Sequence, residues 1–341
     1  MERRVSAYTG CLLGLAAGDG LGRGPERLNG FLPASGYTQM AAYGCNGLLL
    51  GMTRGQMTGA MAPPVGYIAM ALQEWADRQT VRSAAIRCWI SRSDRLDYRR
   101  CPEPEVLDVL LGGKMGTMED HTSTLNGPGA LMAAVAVGLF FDPERLPRRE
   151  IQRLGAEAAS LTHGDPSAFL SGAAMAHMVS RIVWDGESDF AKLSGEAGAM
   201  LRRRFGREYH QVQEICALFK KMRTLARWRK PGREEALRQI GSETAAQVLA
   251  GALYCCITAP GDTDSAVERA ALWSPAGAAV TGALLGAARG EEALPELWLE
   301  ELECEGILRE LAEDLHRGCP MMKGSKVFDI EWDAKYDSAD L

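Results

Sequence analysis

Gly10, Gly14, Gly18 and Gly22 recur every fourth residue through the stretch GCLLGLAAGDGLG. On a helix over 5–20 this spacing aligns them, so one face of the helix carries no side chains. Each glycine costs a helix about 1 kcal/mol relative to alanine. Close approach of a second backbone is what offsets that cost. The spacing therefore predicts helices packed at backbone distance, rather than an amphipathic four-helix bundle.

Further helical patterns fall at 64–78, 80–92, 103–112, 128–140, 148–161, 166–184, 189–204, 208–227, 233–239, 243–257, 264–273, 276–288 and 294–316. β-Branched residues seldom alternate with polar ones, so strands are not expected. The fold class is all-α: a compact multi-helix globule around buried, small-residue helices. No repeat or low-complexity linker divides it, which predicts one domain over 1–341. Loops rich in Gly and Pro lie at 22–37, 112–129 and around 258–263, and the tail 318–341 reads as irregular.

The 341 residues are 46% apolar and 24% charged, enough for a packed core and against disorder. A net charge of −6 supplies no general attraction to nucleic acid. The nine cysteines include no C-x-x-C and are expected as reduced thiols in a cytoplasmic protein. The N-terminal apolar run is short, broken by glycines and closed by Asp19, unlike a signal peptide. The longest apolar stretch, 128–141, falls short of the roughly 20 residues a membrane span needs. A soluble protein with no membrane partner is expected.

Several positions can carry chemistry. In GDTDS (261–265), Asp262, Asp264 and Ser265 form an oxygen cluster that can hold a hard divalent cation. The same residues can simply cap a helix. Ser123, Asn126, Gly127 and Gly129 open the apolar helix at 128–140, an arrangement that suits a pyrophosphate and is also an ordinary capped turn. His163 reads either as a ribose contact or as a loop histidine capping the next helix. His177 follows the apolar pattern and reads as core. Asp19, on the glycine-rich helix, reads as a structural carboxylate. The basic stretches 202–207 and 220–233 read as solvated helix faces, with phosphate contact the sharper alternative. Met40, Met52, Met57, Met61 and Met70 read as packing.

GCLLGLAAGDGLGRGPE (10–26) resembles the opening of the ADP-ribosylglycohydrolase family, which includes the enzyme that releases ADP-ribose from dinitrogenase reductase. NGPGALMAAVAVGLF (126–140), the Thr-His-Gly segment at 162–164, SETAAQVLAGALYCC (242–256) and VTGALLGAARG (280–290) continue the resemblance in the family's order. It implies an all-α fold whose cleft holds ADP-ribose over paired magnesium or manganese ions. It also implies that an early Thr-Asp-Asp-Thr-Gln-Met and a late Gly-Asp-Thr-Asp cluster supply the ligands. Here ASGYTQM (34–40) keeps Thr38, Gln39 and Met40, but Gly36 and Tyr37 stand where both aspartates belong. Flanking helices align the late metal loop with LWSPAG (272–277), which has no carboxylate. In that register Asp262, Asp264 and Ser265 begin the preceding helix, and they are metal ligands only if the rival register holds.

The resemblance also places Glu26 near the scissile ribose bond, although a Glu after Gly-Pro is as readily a solvated loop charge. It assigns the loop Ser123, Asn126, Gly127 and Gly129 to pyrophosphate, with Ala133 replacing the family's arginine. Tyr37, Thr38, His163, Trp273 and Ser274 complete the expected ligand-binding set. No metal and no cofactor are expected. The leading expectation is a cleft for an ADP-ribosyl or related ribosyl-nucleotide ligand, free or on an ADP-ribosylated macromolecule, without dinuclear metal catalysis. A metal-independent hydrolase of an N- or O-glycosidic bond using Glu26, and a structural use of the fold, are the alternatives.

Overall fold

The computed structural model describes residues 2–24, 30–60, 62–80, 86–93, 95–96, 99–228 and 232–336, without the side chains of residues 2 and 3. Sixteen α-helices are found among them. The first eight are α1 (Glu2–Gly22), α2 (Gly36–Thr58), α3 (Pro64–Thr80), α4 (Pro104–Leu111), α5 (Ala130–Phe140), α6 (Arg148–Ser160), α7 (Pro166–Asp185) and α8 (Phe190–Phe205). The rest are α9 (Gln211–Arg227), α10 (Arg233–Ile240), α11 (Ala245–Thr258), α12 (Thr263–Trp273), α13 (Pro275–Arg289), α14 (Glu296–Glu301), α15 (Glu305–Arg317) and α16 (Ile330–Tyr336). The described residues form no strand, only an isolated bridge between Leu32 and Leu302.

The glycine face of α1 meets α13 in antiparallel register. A Cβ added at Gly14 would lie 2.3 Å from the Gly282 carbonyl oxygen, and one at Gly282 would lie 1.9 Å from that of Gly14. Gly10 pairs in the same way with Gly286, Gly18 faces Ala278 and Gly22 faces Pro275. A separation this small suits weak Cα–H···O attraction where a glycine faces a carbonyl, as at Gly10, Gly14 and Gly18. Helices α6 and α7 use the same device, since a Cβ at Gly155 would stand 2.5 Å from the Ala176 methyl and one at Gly172 2.6 Å from that of Ala159. Around these pairs the buried apolar side chains form one contiguous cluster.

Four sequence expectations are corrected. Helix α2, 23 residues long, lies where the sequence shows no helical pattern, and its first two residues fall in the loop expected at 22–37. Its side chains are buried around most of its circumference, so it shows no amphipathic period to read. The pattern at 80–92 ends in a 3-10 turn, Trp89–Arg92, with 81–85 outside the described residues. The single helix expected at 294–316 is two, α14 and α15, broken at 302–304, where Leu32 accepts from the Glu303 N–H. The tail contains α16, held by Trp332 Nε1 donating to Thr53 Oγ1 at 2.9 Å and by Tyr336 donating to Asp314 at 2.9 Å.

All nine cysteines are free. Met40 is buried, and Met52, Met57 and Met70 pack against the core; Met61 lies outside the described residues. Arg202, Arg203 and Arg204 lie exposed in the last turn of α8, where cations favour the helix dipole. No described helix is long and apolar enough to cross a membrane.

Candidate functional site

Where α1 ends and α2 begins, the fully buried Asp19 organises the chain. Its carboxylate accepts from Ser35 N–H at 2.8 Å, Ser35 Oγ at 2.6 Å, Thr38 Oγ1 at 2.6 Å and Thr38 N–H at 3.2 Å. Burial pushes its pKa up while these four donors pull it down. Ser35 in turn caps α2. The Thr38 hydroxyl is therefore spent on holding α1 to α2.

A second anchor lays residues 100–103 across the start of α2. Arg100 pairs with Glu303 out of solvent, Glu303 accepts from Ala34 N–H at 2.6 Å, and Arg100 accepts the Gly36 N–H at 2.8 Å. Gly36 is needed there, because a Cβ would stand 2.9 Å from Pro102 and 3.2 Å from the Cys101 backbone.

This segment delivers Glu103, a residue that sequence reasoning missed, into the Gly127–Gly129 loop. Glu103 Oε1 accepts from Gly129 N–H at 2.7 Å, and Oε2 accepts from His163 Nε2 at 3.1 Å. His163 is fully buried, with Nδ1 2.8 Å from Thr162 Oγ1. A neutral ring making both bonds carries its proton on Nε2 and accepts the threonine hydroxyl on Nδ1. Tyr37 is buried beside them; desolvation first, then the Glu103 charge, raise its pKa above the ordinary phenol value. Only the Gly-Pro-Gly spacing opposite Glu103 hinted that something would approach that loop so closely.

The structure thus brings together Tyr37, Gly127, Gly129 and His163. Ser123 braces the same corner, donating to Thr162 O at 2.7 Å and accepting from Gly164 N–H at 3.0 Å. Asn126 accepts Ala245 N–H on its carbonyl at 2.8 Å. It borders a neighbouring cavity of about 470 Å³ with Asp165, Ser167, Thr244 and Gln247. Glu26 lies outside the described residues.

The late cluster lies elsewhere. Asp262 caps α12 by accepting from Ser265 N–H at 2.9 Å, and both Asp262 and Asp264 are exposed. Bonding to Ser265, with weaker help from Arg269 and Arg289, holds the Asp262 carboxyl below its ordinary range. Arg289, at the end of α13, donates to Thr263 at 2.9 Å. The opposite end of α13, where Pro275 meets Gly22, is about 21 Å away at 1.5 Å per residue. There Ser274 caps α13 through Gly277 N–H at 3.2 Å. The Trp273 indole lies on the bare Cα atoms of Gly251 and Gly277, where a Cβ would approach it to 2.0 and 2.3 Å. It borders a separate cavity of about 650 Å³ with Arg233, Arg238, Glu268, Arg269 and Leu272.

His177 is buried, with Nδ1 3.1 Å from Gln152 Nε2, and desolvation pushes its pKa down to about 4.

A strand-free assembly of backbone-packed helices among the described residues, with a polar corner built from the starts of α2 and α5 and the loop before α7, defines an all-α fold. The family model for ADP-ribosylglycohydrolase matches residues 1–324, and the chain belongs to that family. Among solved structures, an ADP-ribosylglycohydrolase-related protein complex is similar, with a TM-score of 0.63 at 20% identity over 93% of this chain and 99% of that one. No curated protein matches the sequence.

Proposed function

We propose that this family member has a cleft at the α2–α5 corner for an ADP-ribosyl or related ribosyl-nucleotide ligand, and that it works without a dinuclear metal centre. The observation that carries the second part is the state of the carboxylates at that corner. Gly36 and Tyr37 occupy the first turn of α2, and Tyr37 is held neutral. The carboxylates beside them, Asp19 and Glu103, already spend their oxygens on protein donors. Hard divalent ions need several free oxygen ligands, so the described residues here do not fit such a pair. Asp262 and Asp264 cannot complete the set from the far end of α13.

Family membership and the glycine loop at the start of α5 support the ligand. The Gly129 N–H, which already donates to a carboxylate, and the helix dipole favour an anion, and glycine admits close approach. Titration calorimetry with ADP-ribose, with and without magnesium, tests the reading. Magnesium-independent binding without turnover is expected. Turnover abolished by Glu26→Gln would instead mean a metal-independent glycosidase, and no binding would leave a structural use of the fold. Magnesium-dependent hydrolysis would refute the metal-free site.

A further inference from the structure

The Gly127–Gly129 loop already holds an anion, and that anion belongs to the chain. Glu103 bonds Gly129 N–H through one oxygen and the fully buried His163 through the other. A Cβ at Gly127 would lie 2.1 Å from Glu103 Oε2, so the carboxylate rests directly on the bare loop backbone. No gap remains there for a second anion, and two like charges sharing these donors would repel strongly away from water.

We infer that Glu103 is a built-in competitor for phosphate at this loop: a ligand phosphate binds there only by displacing the Glu103 carboxylate. The inference rests on the ligand reading above and names what governs its affinity. The displacement is local. The backbone before Glu103 is fixed through Arg100, Glu303 and Gly36, and the α4 N-terminus makes no use of the Glu103 side chain. That side chain is 18% exposed, so rotation about its own bonds carries the carboxylate toward solvent without unmaking a helix. Gly129 N–H, His163 Nε2 and the Tyr37 hydroxyl, which also bonds Glu103, are then left facing the vacated position, and all three can donate to a phosphate oxygen.

The test measures binding of inorganic pyrophosphate, ADP-ribose and adenosine to the full chain, to Glu103→Ala and to Glu103→Gln. Pyrophosphate and ADP-ribose should bind Glu103→Ala roughly ten- to a hundredfold more tightly than the parent. Glu103→Gln, which removes the charge but keeps the shape, should gain less, and adenosine should not change. Equal or weaker pyrophosphate binding by Glu103→Ala would overturn the inference. A gain for pyrophosphate with no ADP-ribose binding to any of the three proteins would sustain the competitor and sink the ADP-ribosyl reading. Equal ADP-ribose binding by all three would do the reverse. Thermal melts report whether Glu103→Ala folds; if it does not, Glu103→Gln carries the same comparison, with any gain in pyrophosphate affinity sustaining the inference and none overturning it.

Discussion

Replacing Gly14 by alanine tests the central packing claim, because two physical effects then pull in opposite directions. Alanine is the better helix former by about 1 kcal/mol, so at a position with free space Gly14→Ala would stabilise the protein. At Gly14, however, the new methyl carbon would lie 2.3 Å from the Gly282 carbonyl oxygen and 2.8 Å from its carbon. A comfortable carbon–oxygen contact is about 3.3 Å or longer, so α1 and α13 must separate by about 1 Å. Both partners are backbone, and no side-chain rotation relieves the clash. Separation also loosens the neighbouring crossings at Gly10–Gly286 and Gly18–Ala278. Overpacking of this kind costs about 1–3 kcal/mol, and the upper end applies when a whole helix must move. The net expectation is a loss of about 2 kcal/mol, read as a lower urea midpoint by far-ultraviolet circular dichroism. Gly195→Ala, in α8 with nothing within 4 Å of the new carbon, should instead gain about 0.5–1 kcal/mol. If Gly14→Ala matched or exceeded the parent midpoint, the backbone-contact account of α1 and α13 would be wrong.

Other expectations follow from the same geometry. Gly251→Ala drives a methyl into the Trp273 indole; its destabilisation should be relieved by at least about 1 kcal/mol when Trp273→Ala is present, and additive effects would refute the contact. Asp262→Ala should lower the melting temperature modestly by removing the α12 cap, and magnesium should shift the melts of parent and variant equally. A magnesium-induced rise seen only in the parent would make Asp262 a ligand. His177 has its pKa depressed to about 4, first by burial and further by Arg181, Arg148 and Arg203, with Glu196 opposing. The unfolded chain therefore binds one more proton than the folded one between pH 6.5 and 4, and stability falls as pH drops through that window by up to about 1.4 kcal/mol per unit. His177→Gln should flatten that part of the pH–melting curve, and an unchanged slope would remove His177 as the cause.

The legible parts of the fold were those whose burial is one-sided or whose residues are sterically special. The glycine spacing in α1 announced a backbone contact, and the apolar stretches of α5 and α7 were long enough to read as helices. Helix α2 escaped because burial on most sides erases periodicity, leaving Gly, Thr, Asn and Tyr that read locally as loop. The reciprocal glycines on α13, Gly282 and Gly286, share the spacing of their partners, yet neither helix names the other. At the candidate site, Gly127, Gly129, His163 and Tyr37 were named from the sequence and are neighbours. Glu103 was not, because a lone Glu before a proline carries no local mark of the loop it will enter.

By itself the sequence determined that the chain is helical, that some of its helices must touch at their backbones, and that its motifs follow the order of one family. These properties are written in composition and in spacing along a single strand of residues. Only the tertiary structure decided which helix lies against the bare face of α1, that Asp262 stands a helix length from the start of α2, and that a carboxylate distant in sequence sits in the glycine loop. Each of these is a meeting of segments far apart in the chain, set by which bare backbone faces can touch and by which donors a buried carboxylate such as Asp19 can reach.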